Sequence, residues 1–425
     1  MSQTSPVEQP QALSPTKPEK SEASHQDQSA AERRRLRRMS ILGVVAVVLI
    51  GLNLRAGISS AAALFHDMQL FLGYGPFVAA LLPSIPTLVF AVAGATTSGV
   101  VRRMGIERTI LLALALLTAG LAVRGIPSVG VLMLGTVLAM CGLALCNVTM
   151  PSFIRQNYSH KTSTMTGVYT ITMSIGATAA SSLSVPLARQ LDSPLLGLAA
   201  WSILGVVGIL VFLPIVLSAK RQTTSTDQER VSPWALLKTS KGLMITGFFL
   251  AQALFVYAII SWLSIILISR GMTPEAAGVM LGLMQIVSVP ASILLLTLAN
   301  RPGRLRTAMN ICALAAMAGV LCLLYLPLSL AFIGPVLIGI QFAVFPLILV
   351  VISRSGKNAA ETTAMSTISQ SLGYLFSTIG PFGMGLLYAA TNGWTLSLWL
   401  LAGVAFLQLL LGIGLTPKFP GRKTA

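Results

Sequence analysis

The chain has 425 residues, 54% of them hydrophobic and only 10% charged, with a formal net charge of +17. Soluble globular domains carry roughly 25% charged residues, so an ordinary water-soluble enzyme is excluded. The basic residues sit in short clusters between long apolar runs and form no single patch, which excludes a nucleic-acid-binding face.

Residues 1–32 are rich in Pro, Ser, Gln and Glu and nearly free of large apolar side chains, so nothing there offsets the entropy of ordering. The reading is a disordered cytoplasmic tail over 1–39. It ends in Arg33, Arg34, Arg35, Arg37 and Arg38, a topogenic anchor against anionic lipid. The apolar run that follows is too long for a signal peptide and has no small-residue cleavage site.

A bilayer core about 30 Å thick takes about 20 apolar helical residues to cross. Runs of that kind recur at 40–65, 76–101, 109–125, 129–153, 163–187 and 195–219. A polar stretch, 220–242, follows as a linker. Six more runs lie at 243–269, 275–299, 307–326, 329–352, 362–388 and 395–416, before a short tail at 419–425. The predicted fold is all-α, with twelve transmembrane helices in two six-helix bundles, 40–219 and 243–418. Pro83, Pro86, Pro290, Pro346 and Pro381 are expected bends.

Placing each Lys and Arg in its loop puts twenty-five on the side of the termini and only Arg124, Arg189 and Arg270 on the other. Positive residues stay inside, so both termini are expected in the cytoplasm and the protein in the cell inner (plasma) membrane. Arg55, deep in the first helix, is the remaining basic residue, and no acid falls within a helix core. A charge at that depth is costly and asks for an anionic or oxygen-rich partner, which makes Arg55 the first candidate for a substrate site. Asn53, about 200° away around the helix, is expected to bond a neighbouring helix instead, whereas Ser59 shares the Arg55 face. Stripes at Tyr257, Ser261 and Ser264, at Gln285, Ser288 and Ser292, and at Ser366, Ser369 and Gln370 read as polar glue between helices.

The two halves repeat one another. Residues 103–109 (RMGIERT) match 301–307 (RPGRLRT), and Thr170, Ile171, Ser174 and Gly176 match Thr367, Ile368, Ser371 and Gly373 at an offset one residue shorter. Arg103, Gly105 and Arg108, with Arg301, Gly303 and Arg306, are therefore expected to form a cytoplasmic gate, each glycine supplying a turn that other residues resist.

Two six-helix halves, a long central loop and a basic glycine turn after helices two and eight resemble the major facilitator superfamily. Within it, Asn53-Leu54-Arg55, Met150-Pro151-Ser152 with Arg155, Tyr257 with Ser261-Trp262-Leu263, and Gly339-Ile340-Gln341 with Pro346 are similar to the cyanate and 2-nitroimidazole permease family. The superfamily's loop after helix two usually carries an Asp before its basic residue and a Gly four residues earlier, where this chain has Arg102 and Ser98. The resemblance implies alternating access about a midplane site lined by helices 1, 4, 7 and 10. That favours Arg55, Asn147, Tyr257, Trp262 and Gln341 as substrate-binding residues, for a small anion or a small polar aromatic. A multidrug or metabolite efflux permease of the same superfamily is the alternative, and a channel or membrane receptor a more distant one.

Chemistry of other kinds has little support. Cys141, Cys146, Cys312 and Cys322 lie in apolar helices without C-x-x-C spacing, and no phosphate-binding glycine motif occurs. No catalytic residue, metal or cofactor is expected. The expected partners are the small-molecule substrate and the lipid bilayer, with no nucleic acid, for a chain acting as a monomer.

Overall fold

A chain immersed in hydrocarbon must satisfy its backbone polar groups internally, and long apolar runs do so as helices. The structure, a computed structural model, describes residues 19–218, 232–357 and 359–415. Among them are twelve helical spans long and apolar enough to cross a membrane. They are α1 (Ile41–Leu72), α2 (Pro76–Ala93), α3 (Ile106–Val123), α4 (Val129–Asn157), α5 (Thr164–Gln190), α6 (Pro194–Ser218), α7 (Ser240–Ser269), α8 (Pro274–Ala299), α9 (Leu305–Tyr325), α10 (Leu328–Ser353), α11 (Glu361–Thr391) and α12 (Thr395–Leu415). The protein is an all-helical, multi-pass membrane protein.

Three departures from the sequence reading have local causes. The helix that carries α1 begins at Glu19, so the disordered reading does not hold for 19–39. No proline follows Pro18 there, and Ala, Glu, Gln and Arg are good helix formers. Residues 1–18, most of the linker (219–231) and the tail 419–425 lie outside those described. The far end of α1 runs seven residues beyond its predicted limit of 65. Finally, the proline bends fall ahead of the prolines. A proline has no N–H, so the carbonyl four residues earlier loses its partner. Those carbonyls belong to Leu82 for Pro86, Phe342 for Pro346 and Ser377 for Pro381. The helices break at Leu82–Ser84, at 342–343 and at Thr378. α8 runs unbroken through Pro290.

The repeat read from the sequence is also written in the backbone. Among the described residues, four glycines have positive φ, at Gly73 (64°), Gly105 (85°), Gly271 (97°) and Gly303 (73°). They pair as Gly73 with Gly271 after α1 and α7, and Gly105 with Gly303 before α3 and α9, at one offset. The two described non-glycine residues with positive φ, Asp192 (48°) and Asn392 (49°), follow the equivalent spans α5 and α11.

The first half has one buried core, with Leu114, Phe153 and Phe212 at its centre. The second half has two, one around Trp262 and Trp394 and one around Phe248, Phe249 and Leu347. The halves meet where α5 packs on α8 and α2 on α11. Asn53 is a structural tie as expected, donating to the carbonyls of Leu49 (2.9 Å) and, on α6, Leu204 (3.0 Å).

Candidate functional site

A cavity of about 550 Å³ lies between the halves. Its walls come from α1, α2, α4 and α5 on one side and α7, α8, α10 and α11 on the other; α3, α6, α9 and α12 contribute no described residue. The lining runs from the middle of each helix toward the end that carries the basic loops. On α4, for example, it extends from Leu143 to Ile154, three residues short of the helix end. The cavity therefore faces the basic end.

The opposite end is sealed by contacts across the halves. Arg189 in the last turn of α5 makes an ion pair with Glu275 at the start of α8. Thr87 and Thr378 share a hydrogen bond of 2.9 Å, and Phe77 meets Phe382 edge-on at 6.0 Å. Nearer the middle, Gln285 donates to the Ser59 hydroxyl (2.6 Å) and Thr178 to the Gly282 carbonyl (3.1 Å).

Arg55 projects into this cavity, half-buried, from the face it shares with Ser59. Among the described residues, no acid lines the walls. Tyr169, Tyr257 and Tyr374, on three helices, line the same cavity. Tyr257 and Tyr374 stand 6.0 Å apart and each packs against Phe90, at 6.0 and 5.4 Å. Such tilted and edge-on pairs hold the rings in fixed orientations. Asn147 also lines the cavity, its carbonyl oxygen 3.5 Å from the Tyr169 hydroxyl, which donates to it. Gln252, Gln285 and Gln370 add amide groups from the second half, Gln370 held by a 2.7 Å bond from its amide to the Ser366 hydroxyl.

Three of the five substrate residues read from the sequence, Arg55, Asn147 and Tyr257, thus share one cavity, and two do not reach it. Trp262 lies five residues beyond Tyr257, about 140° around the helix. It is buried at the sealed end, its indole N–H donating to the Pro381 carbonyl (2.8 Å) and its ring 5.2 Å from that of Trp394. Gln341 is fully buried in an amide pair with Gln408 of α12, at 2.9 Å. The stripe of α10 that faces the cavity is Phe342, Phe345, Pro346 and Leu349, one residue out of register with Gln341.

What the sequence reading missed is the share of α2, α5, α8 and α11, and Gln252 of α7. Phe90, Tyr169, Gln252 and Tyr374 carried no motif. Gln285, Ser288, Ser292 and Gln370 belonged to stripes read as helix glue, and periodicity alone does not separate a polar stripe facing a neighbour from one facing a cavity. A second correction concerns charge at depth. Arg124, assigned to a loop, is fully buried, its guanidinium donating to the Gly57 carbonyl of α1 at 3.0 Å. Arg55 therefore shares the interior with a second cation.

The six gate residues all lie at the basic end. Arg103 lies in the last turn of the helix before Gly105, Arg108 and Arg306 in the first turns of α3 and α9, and Arg301 in the turn before α9, while Gly105 and Gly303 take the positive φ that the tight turns require. No group of His, Cys, Asp and Glu that could hold a metal occurs among the described residues.

Comparison with known proteins places this geometry. Residues 9–181 and 47–378 match the Major Facilitator Superfamily. The chain is 31% identical to an uncharacterized transporter, YycB, of Bacillus subtilis (strain 168), over 84% of this chain and 89% of the relative. It is 30% identical to the 2-nitroimidazole transporter of Escherichia coli (strain K12), over 88% and 94% of the two chains. Identity to the cyanate transport protein CynX of the same organism is 20%, over 83% and 91%. In fold it is similar to the crystal structure of the nucleoside transporter NupG, with a TM-score of 0.70 at 13% identity, covering 88% of this chain and 98% of that one.

Proposed function

We propose a cargo and a cycle for a chain that belongs to the major facilitator superfamily and is a secondary transporter, not an enzyme. The cargo is a small, planar, polar heteroaromatic, of the nitroimidazole type named for the relative at 30% identity. The observation that carries this reading is a half-buried cation that shares a cavity of about 550 Å³ with three tyrosines.

Arg55 presents a fork of N–H donors that suits a planar pair of oxygens, such as a nitro group or a carboxylate. Tyr257 and Tyr374 offer faces and edges for a flat ring, and Asn147, Gln252, Gln285 and Gln370 orient its heteroatoms. The other permease activity of the related family, cyanate transport, is favoured by the charge on Arg55, but a triatomic anion has no ring face to set against Tyr257 and Tyr374.

The cycle is alternating access, in which the halves rock about the midplane site. The present conformer opens to the basic end, which the distribution of Lys and Arg assigns to the cytoplasm of a cell whose inner membrane holds the protein. In the opposite conformer, the paired turns at Arg103–Arg108 and Arg301–Arg306 close that end, and the chain works as a monomer. With no acid among the described residues of the cavity walls, no carboxylate there is available to carry a proton with the cargo. A neutral heteroaromatic needs no such coupling, and an anion would move by exchange for another.

The test is counterflow in proteoliposomes. Vesicles loaded with unlabelled 2-nitroimidazole should take up the labelled compound transiently and saturably, with cyanate competing poorly. Saturable counterflow of cyanate that ignores nitroimidazole would refute the heteroaromatic reading and leave the anion reading in its place.

A further inference from the structure

The contacts that tie the halves together differ in whether the transport cavity reaches them. Thr87 with Thr378, Thr178 with the Gly282 carbonyl, and Arg189 with Glu275 all cross between the halves, and none of these residues lines the cavity. Gln285 is different. Its amide donates to the Ser59 hydroxyl across the halves at 2.6 Å, and the same side chain forms part of the cavity wall. Ser59 is buried, 1% exposed, and does not line the cavity.

The bond stands where the cavity meets the seal. Ser59 lies one turn beyond Arg55 on the same face of α1, about 6 Å along the axis toward the sealed end. On α8, which starts at the sealed end, Gln285 lies deeper than Gly282, so its bond marks the inner limit of the contacts that close that end. Opening the sealed end parts the halves along this seam. The bond therefore belongs to the present conformer and is lost in the opposite one.

A hydrogen bond between the halves resists that motion until its two ends find other partners. Ser59 has one on its own helix, the Arg55 carbonyl, because a helical serine can donate to the carbonyl four residues back. Ser181, Ser184 and Ser261 do so here. The Gln285 N–H needs an acceptor from the cavity. Water offers one but must be ordered for the purpose, whereas a cargo already held at Arg55 brings its oxygen or ring nitrogen in place. We propose that Gln285 couples loading to the conformational switch: it latches the empty carrier through Ser59, and a bound cargo releases the latch by accepting the same N–H. The empty carrier then reorients more slowly than the loaded one, so exchange outpaces net flux. The identity of the cargo rests on the function proposed above; the latch does not.

Ala62 reports on the seam, being 1% exposed and packed in a core with residues of the second half. In purified full-length protein whose Cys141, Cys146, Cys312 and Cys322 are replaced by alanine, Ala62→Cys should react slowly with a soluble maleimide, and faster with saturating 2-nitroimidazole. Adding Ser59→Ala, which leaves the cavity wall intact, should raise the ligand-free rate by about fivefold, the worth of one hydrogen bond, and ligand should then add little. The same variant should bind 2-nitroimidazole more tightly, by up to about fivefold, because the ligand no longer competes with Ser59. Should Ser59→Ala fail to fold, Gln285→Met removes the same N–H and should raise the ligand-free rate alike. Ser184→Ala, which deletes a hydrogen bond to Trp201 inside the first half, should leave the rate unchanged. An equal rise in Ser184→Ala, or a wild-type rate in Ser59→Ala, overturns the proposal, as does 2-nitroimidazole that binds without speeding the reaction. If 2-nitroimidazole does not bind at all, the cargo is refuted, and the ligand-free rate of Ser59→Ala still decides the latch.

Discussion

The two halves share their turns but not their chemistry. Each positive-φ residue described in the first half has a counterpart in the second, after the same helix or before it. Yet at the offset that pairs Gly105 with Gly303, Arg55 falls opposite Ala253 and Asn147 opposite Phe345, all four on the cavity wall. The first half brings the charge. The second brings the amides of Gln252, Gln285 and Gln370 and two of the three tyrosines. Symmetry in the backbone serves a motion in which either half can rock against the other. Asymmetry in the lining would suit the cargo proposed above, with one polar end and one flat face, which two identical walls would bind in two orientations.

Removing the charge breaks the asymmetry most severely. Arg55→Ala should lower counterflow by about 100-fold or more, the scale of a charge-assisted hydrogen-bond pair, while membrane yield stays near wild type. Arg55→Lys should retain part of the activity, because a point charge replaces the planar fork. Moving the cation to the other wall, in Arg55→Ala with Ala253→Arg, should recover less than about a tenth of wild-type flux, since Asn147 and Tyr169 remain on the first half. Full recovery would show that the cavity needs only a positive charge.

On the second half the expected effects are smaller. Tyr374→Ala should weaken apparent affinity for a heteroaromatic by about tenfold, as the loss of a ring contact of roughly 1–1.5 kcal/mol implies. Gln370→Leu should weaken it by about threefold to tenfold through one hydrogen bond of roughly 1 kcal/mol. Isothermal binding measurements on purified protein would check both. Gln341→Leu should leave affinity unchanged and lower stability by about 1–3 kcal/mol, because it strands the buried amide of Gln408. The mildest change is Arg189→Ala, which removes the ion pair to Glu275 at the sealed end. Arg189 is exposed, so cysteine accessibility inside that end should rise by no more than about fivefold.

The twelve spans were legible because crossing a bilayer fixes both length and composition, two quantities that a sequence displays openly. The glycine turns were legible because their residue type answers a backbone requirement. Arg55 was legible because hydrocarbon admits so few charges. The facing of Trp262 and Gln341 was not: a one-residue difference in register turns a side chain by about 100°, and proximity in sequence to Tyr257 or Pro346 carries no information about it. Arg124 was hidden by its place near a loop, where a long side chain ordinarily reaches outward to water. Here the notch at Gly135 and the carbonyl of Gly57 take it inward.

Between the halves, α8 meets α5 at Gly278 and Gly282, which face the Ser181 carbonyl and the Ser182 hydroxyl with no space for a methyl group. A contact of this sort works as a plain bearing. With glycine on one face, little interlocks there beyond small groups such as the Thr178 hydroxyl on the Gly282 carbonyl, so one half can roll on the other. The travel is then limited by stops at the two rims, such as Thr87 against Thr378, and not by friction along the axle. Alanine at Gly278 would act as a wedge in that bearing, prying the halves apart at one height and leaving the stops misaligned at either limit of the swing.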